Sequence, residues 1–166
     1  PSWSKPDIGA VESPYAAQGF LNVLRVPQDF ATIQRAIDAA RDSDMVLVSE
    51  GTYKENLVIK KKITLASQYI VDKDTTHISK TILDGSAPSN PDSGSVILIG
   101  TNTDSTTIIA GFTITKGSGT KRMNTFIGTN VASGGGIDIN SGGATIKNNI
   151  ITGNNIVIFP PYTDAY

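Results

Sequence analysis

The stretch GTYKENLVIKKKITLAS, residues 51–67, places two short apolar runs, Leu57–Ile59 and Ile63–Leu65, on either side of three lysines. Neither run is long enough for a helix, and the lysines do not offer the Asn-Gly or Asp-Gly pair that closes a tight hairpin. The stretch therefore indicates two short strands that do not fold back on each other. We predict that Lys60–Lys62 form a corner between two faces of the structure.

Similar short runs, rich in β-branched residues and separated by polar residues and glycine, continue to residue 152. We predict strands in the runs at 45–49, 56–59, 63–66, 81–85, 96–100, 106–115, 135–140 and 144–152. A weak repeat of strand, polar turn and strand is typical of a parallel β-helix, in which each strand pairs with its counterpart in the next coil. An antiparallel sandwich is the alternative, but two-residue hairpin signals are nearly absent. Asparagines in IKNNIITGNN (146–155) are expected to bond to the turns of neighbouring coils.

One helix is predicted, in DFATIQRAIDAARDSD, residues 29–44. Asp29 is the expected N-cap, and the helix is expected to end near Asp42–Asp44. Four apolar residues recur at the spacing of a buried stripe: Ile33, Ala36, Ile37 and Ala40. An amphipathic helix placed directly before the first coil covers an apolar end that would otherwise be open to other chains.

The composition describes one water-soluble domain of 166 residues, of which 39% are hydrophobic and 17% charged. A net charge of −1 does not indicate the basic surface that binds nucleic acid. No stretch approaches the roughly 20 apolar residues of a membrane span. The absence of cysteine excludes disulfides, thiolate nucleophiles and Cys-ligated zinc. Because Pro1 is not a native start, we interpret the sequence as a segment of a longer protein.

The chain divides into an irregular leader or linker at 1–24, a capped parallel β-helix at 25–155 and a C-terminal tail at 156–166. The tail contains two prolines, which cannot donate hydrogen bonds to a strand. We expect Phe159 and Tyr162 to cover the final coil incompletely, so that the segment self-associates through its C-terminal end.

Residues 26–67, VPQDFATIQRAIDAARDSDMVLVSEGTYKENLVIKKKITLAS, resemble the N-terminal cap and first coil of right-handed β-helix proteins of the pectin lyase-like superfamily. The pattern is similar to that of pectin methylesterase-like proteins, with a TIQ.AI..A helix, an apolar strand, GTY.EN and KKITL. The later TIIAGFTIT and GGGIDINSGGATIKNNIITGN resemble coils of large secreted bacterial β-helix proteins. The resemblance implies an all-β fold, a short right-handed parallel β-helix of about three coils with an N-terminal amphipathic capping helix. It also implies a secreted or cell-surface protein of bacterial origin.

The chemistry of these families does not carry over to the sequence. The paired aspartates, glutamines and arginine of pectin methylesterases have no counterpart here, and neither has the acidic calcium cluster of pectate lyases. We therefore expect no catalytic residue and no metal site, and a non-catalytic segment that binds polysaccharide. The alternatives are the N-terminal part of a polysaccharide lyase or pectinesterase-like enzyme with its catalytic coils elsewhere, and a structural or adhesive spacer.

Four residues are candidates for ligand binding. Asp138 is expected on a solvated face, where its carboxylate and the Asn140 side chain offer oxygens to calcium. Two oxygens are too few for a calcium site, so we expect no cofactor. Phe126 and Tyr162 lie in irregular segments, where an aromatic ring either stacks on a sugar or seals an end of the stack.

The remaining polar features are interpreted as structural. His77, the sole histidine, has no partner nearby in the sequence and is expected at the surface, and Asp84 is expected in a turn. KGSGTKR (116–122) lacks the strand and helix that flank a phosphate loop, so we expect an exposed insertion.

The corner before Leu57 has its own signals. Gly51 is expected to need a positive φ where the chain leaves its strand. Tyr53 and Asn56 are expected to fix the corner that follows.

Overall fold

The chain folds mainly into short strands. The computed structural model describes residues 22–124 and 129–156. Within those ranges it contains three helices, α1 (Ile33–Ala39), α2 (Tyr69–Asp72) and α3 (Thr76–Lys80). The strands of the same ranges are β1 (Val23–Val26), β2 (Met45–Val48), β3 (Gly51–Tyr53), β4 (Leu57–Ile59), β5 (Thr64–Ser67), β6 (Thr81–Asp84), β7 (Ser93–Gly94), β8 (Ile97–Ile99), β9 (Ile108–Ala110), β10 (Thr113–Thr115), β11 (Gly119–Asn124), β12 (Thr129–Ser133), β13 (Ile137–Ile139), β14 (Thr145–Lys147) and β15 (Ile150–Ile151).

Three of the sheets are parallel throughout. Sheet A has the order β1-β2-β5-β9-β14, sheet B the order β15-β10-β6-β3, and sheet C the order β13-β8-β4. From β2 onward, successive strands belong to sheets A, B and C in this order, and the order then repeats. It is interrupted only by the strands of sheet D, the antiparallel β12-β11-β7. The predicted all-β class is confirmed, and the parallel pairing contradicts the antiparallel sandwich.

The corner at Lys60–Lys62 is confirmed. It joins β4 of sheet C to β5 of sheet A, so the two strands flanking the lysines do not pair with each other. Lys61 also fastens the corner to α1, since its ammonium donates to three carbonyl oxygens in and after the last helical turn. These belong to Ile37, Asp38 and Ala40, at 3.2, 2.6 and 2.7 Å.

The core lies between the three parallel sheets and α1. The predicted stripe on α1 is buried and packs in one cluster with side chains from each sheet, such as Leu65 of A, Leu83 of B and Ile97 of C. Removing a branched aliphatic side chain of this size from water contributes about 1.5–3 kcal/mol. Helix α1 is therefore held by apolar burial at one end of the stacked strands.

The N-terminal end of α1 differs from the prediction. The N-cap is Thr32, whose extended backbone precedes the first helical residue, and not Asp29. The Asp29 carboxylate instead accepts from the backbone amide of Arg25 at 2.9 Å. Glu55, from the corner before β4, accepts from the amides of Ile33 and Gln34 at 2.9 Å each. These amides have no partner inside the helix, so a distant carboxylate completes the cap.

The helix ends at Ala39, earlier than the predicted Asp42–Asp44. Ser43 adopts a positive φ of 71°, and its amide donates to the carbonyl of Lys62 at 2.8 Å. The backbone therefore leaves the helical conformation after two turns and hydrogen-bonds to the Lys60–Lys62 corner.

Gly51 and Asn56 behave as predicted in the corners between β2 and β4, and Tyr53 does not. Gly51 has a φ of +155°. The Tyr53 hydroxyl donates to the carbonyl of Ser49 at 2.9 Å, so Tyr53 fixes the corner before β3 and not the one that follows it. The Asn56 side chain donates to the carbonyl of Ser95 at 3.0 Å, which joins the corner after β3 to the next passage of the chain.

The asparagines near the C-terminus also behave as predicted. Asn149 accepts from the amide of Phe112 and donates to the carbonyl of Ile109, both at 2.9 Å. Asn154 makes the same pair of bonds, at 2.9 Å each, to the stretch 114–117. Each side chain therefore ties its own turn to the one before it.

Several elements were not predicted. Residues 69–80 hold the short helices α2 and α3, and β1, β3, β7 and β12 were missed. The prediction of an exposed insertion at 116–122 is wrong, because β11 pairs with β7 and β12 and Thr120 is buried.

Candidate functional site

Sheet C turns one face to the core and the other outward. Its register aligns Val58 of β4, Leu98 of β8 and Asp138 of β13. Their neighbours Leu57 and Ile97 are buried in the core cluster. Because side chains alternate along a strand, the row from Val58 to Asp138 belongs to the outward face.

Two adjoining concavities lie along this outward face. The first, with a volume of about 260 Å³, lies between α1 and β4 and is lined by Gln34, Ile37, Asp38, Val58, Lys60 and Lys61. The second, of about 270 Å³, is lined by Lys60, Leu98, Gly100, Thr101 and Asn140. Lys60 borders both, and we call the two neighbouring concavities together the sheet C groove.

The groove presents polar groups that the protein leaves available. Lys60 is exposed, its stem lies against Gly100, and its ammonium has no partner within residues 22–124 and 129–156. Asn140 is exposed as well, and its backbone amide donates to the carbonyl of Ile99 at 2.7 Å. Its Oδ1 accepts from the hydroxyl of Ser141 at 3.3 Å, which leaves its Nδ2 to donate to a ligand. Between them, Leu98 gives the floor an apolar surface.

Gln34 closes the groove at the helix end. Its Oε1 accepts from the amide of Val58 at 2.8 Å, and its Nε2 donates to the carbonyl of Val58 at 3.2 Å. The same Nε2 donates to Asp38 at 2.8 Å. A side-chain amide thus takes the place of a further strand at the edge of β4.

The prediction of a solvated Asp138 is wrong. The residue is 6% exposed, and its Oδ2 accepts from the guanidinium of Arg122 and from the hydroxyl of Ser133 at 3.0 Å. Arg122 and Ser133 belong to β11 and β12, so this hairpin covers the outward side of β13. A carboxylate compensated by a guanidinium attracts calcium weakly. No group of three or more metal-binding side chains occurs in the part of the chain that the structure describes.

The four candidate residues therefore have different outcomes. Asn140 lines the groove, and Asp138 lies beside it under the hairpin. Phe126 and Tyr162 lie outside the described residues. The sequence does not single out Lys60 as a groove residue, because the three lysines together indicate a corner. The available signal is its position two residues after the outward-facing Val58, which places both side chains on the same face.

Outside the groove, Asp84 takes part in one ion pair and His77 in two. Asp84, predicted in a turn, is the last residue of β6; it is buried and accepts from the Ser86 amide at 2.9 Å and from the Lys116 ammonium at 2.7 Å. The Lys116 ammonium and the Ser86 hydrogen bond lower the pKa of Asp84 to about 2. His77 contacts the carboxylates of Asp72 and Glu50, which raise its pKa, Asp72 having the larger effect.

These features define a class of all-β proteins built from stacked parallel sheets, with an open groove across one of them. The model of the family described as "Protein of unknown function (DUF1565)" matches residues 26–165. The chain belongs to this family, which is associated with right-handed β-helix proteins. A comparison with curated proteins found no match. Within the described ranges, no helix has the length and apolar character needed to cross a membrane.

Proposed function

We propose that the chain is a short right-handed parallel β-helix of the pectin lyase-like superfamily, part of a secreted or cell-surface bacterial protein, and that it binds polysaccharide through the sheet C groove. The fixed order of sheets A, B and C supports the fold, because a solenoid brings the chain back to the same face once in every coil. The asparagine bonds between successive turns and the family membership support it further.

The observation that carries the proposed function is the pair of adjoining concavities along β4 and β8, which extends to Asn140, directly after β13. Sugars offer hydroxyl groups to polar side chains and apolar ring faces to aliphatic ones. Asn140 and Thr101 supply the first kind of contact, and Leu98 supplies the second. Neighbouring strands are about 4.8 Å apart, close to the length of one sugar ring, so that successive rings meet successive strands.

The enzyme alternative is less well supported. Hydrolysis or elimination at a glycosidic bond requires paired acid and base groups beside the bond. Among the described residues that line the groove, Asp38 is the one carboxylate, and it accepts a hydrogen bond from Gln34. We therefore propose a binding segment in which no reaction takes place.

The test is a binding titration against polygalacturonate, methylated pectin and a neutral glucan, with calcium and without it. We expect measurable affinity for at least one glycan, unaffected by calcium. Asn140→Ala should weaken it by up to about tenfold, the effect of one hydrogen bond. Lys54→Ala serves as the control, because Lys54 is exposed outside the groove.

Absence of binding to every glycan, or equal binding by the wild type and Asn140→Ala, would overturn the proposed site. Release of methanol or of unsaturated oligosaccharides would instead favour the enzyme alternative. A protein that binds no glycan and releases no product would fit the structural spacer.

A further inference from the structure

A cluster of charged side chains joins the short helices α2 and α3 to the corner between β2 and β3. The Nδ1 of His77 in α3 lies 2.8 Å from Oε1 of Glu50, and its Nε2 lies 2.9 Å from Oδ2 of Asp72. Glu50 belongs to the corner and Asp72 is the last residue of α2. One imidazole ring therefore connects two elements to the body of the protein.

The two contacts require a charged ring. An ionised carboxylate can only accept hydrogen bonds, and a neutral imidazole carries a single N–H. Both contacts of His77 are hydrogen bonds only when both ring nitrogens are protonated. The cluster is also unsuited to a metal ion, because the two carboxylates face opposite nitrogens and cannot converge with the ring on one point.

We propose that the Glu50–His77–Asp72 cluster is a pH-sensitive latch, which holds α2 and α3 against the β2–β3 corner while the imidazole is charged and loosens them when it is neutral. Loss of the proton leaves one ring nitrogen facing a carboxylate without a hydrogen between them. One of the two connections must then break.

The other groups around His77 limit how far the segment opens. Lys80 of α3 lies 3.5 Å from Glu50, and Asp74, between the two helices, is close enough to interact with the imidazolium charge. From β10, the neutral hydroxyl of Thr113 donates to the carbonyl of Ile78 at 2.8 Å. Because Lys80 and Thr113 continue to hold α3, we expect α2 and its connection to loosen most.

The direction of the pH effect follows from the carboxylates. Asp72, with the larger effect, and Glu50 raise the pKa of His77 above its ordinary value of 6.5. Stabilisation by the charged ring is therefore fully present at pH values below 6.5 at which both carboxylates are ionised, and it is lost as the pH rises through the raised pKa of the closed form. Each unit of difference between the closed and open pKa values corresponds to about a tenfold change in the opening equilibrium.

The sole histidine makes the charge state directly measurable by NMR titration of the intact chain. We expect a pKa above 6.5 in the wild type and a lower value in both Asp72→Asn and Glu50→Gln. Asp92→Asn is the matched control, since Asp92 is an exposed carboxylate paired with Lys121 and not with the cluster. A wild-type pKa at or below 6.5 would overturn the proposal.

The latch itself is tested by amide hydrogen exchange of residues 69–80, corrected for the intrinsic pH dependence of exchange. Protection of this segment should fall as pH rises through the measured pKa, while that of β2 and β5 stays constant. In His77→Gln, the protection of residues 69–80 should be low at every pH and equal to the protection that the wild type shows at high pH. Protection of 69–80 that does not change with pH in the wild type would show that the cluster is not a latch.

Discussion

Replacing Ile37 by alanine tests whether α1 is held by apolar burial at the end of the sheets. Ile37 is 2% exposed and belongs to the core cluster, so truncation leaves a cavity between the helix and the strands. Such replacements cost about 2–5 kcal/mol, and we expect about 3 kcal/mol of lost unfolding free energy. For a chain of this size that amounts to a decrease in Tm of roughly 6–12 °C. Ile37→Asp should be more damaging, because it buries a charge without a partner.

The matched control is Arg35→Ala, in the same helix but on its exposed side. Alanine is a good helix former, so this variant should stay within about 0.5 kcal/mol of the wild type. Urea unfolding followed by far-UV circular dichroism gives the free energies, and calorimetry gives Tm. If Ile37→Ala and Arg35→Ala unfold alike, α1 does not stabilise the strands beneath it.

Two further predictions concern acid stability and self-association. Asp84 has a pKa of about 2 against an ordinary 3.8, so its stabilising effect is present above 3.8 and disappears as pH falls towards 2. The shift in pKa corresponds to about 2 kcal/mol of unfolding free energy, and solvent screening at the exposed Lys116 reduces this to about 1 kcal/mol. Asp84→Asn should therefore flatten the dependence of unfolding free energy on pH between about 4 and 2. Self-association through the C-terminal end stays a prediction; Ile150 and Ile151 of β15 are about half exposed there. Light scattering should show a mass that rises with concentration and rises less in Ile151→Ser, and a constant monomer mass in the wild type would contradict it.

The strands and the lysine corner were predictable because they depend on local sequence. The run at 45–48 is apolar at every position, and the polar turns around it contain the residues that turns favour. The ends of α1 were not predictable from local sequence. Glu55 caps the N-terminal end from a position more than twenty residues away, and beyond the C-terminal end the amide of Ser43 donates to the carbonyl of Lys62. The helices at 69–80 contain few residues and no apolar repeat, so periodicity gives no signal for them.

The groove was only partly predictable. The alternation in Ile137-Asp138-Ile139 correctly indicates that Asp138 faces away from the core, but nothing local shows that a hairpin folds over it. Lys60 and Asn140 are distant in sequence and meet only through the register of β4, β8 and β13. Glu50 escapes prediction as a partner of His77 for the same reason, since it lies on another element. Asp72 is only five residues before His77, but nothing local indicates the two short helices that bring it to the ring.

The one-way order of pairing has a mechanical consequence. The first strand, β1, is held by four residue pairs to β2, whereas the last, β15, is held to β10 by two. Like β1, β3 and β4 at the opposite edges, β13 and β14 have one neighbour each in their sheets within the described ranges, but β1 and β4 also pack against α1. Tension applied between the two ends of the chain will therefore peel strands away from the C-terminal side in sequence. The force needed to detach each further strand should rise in steps as the remaining strands become those nearest the end covered by α1.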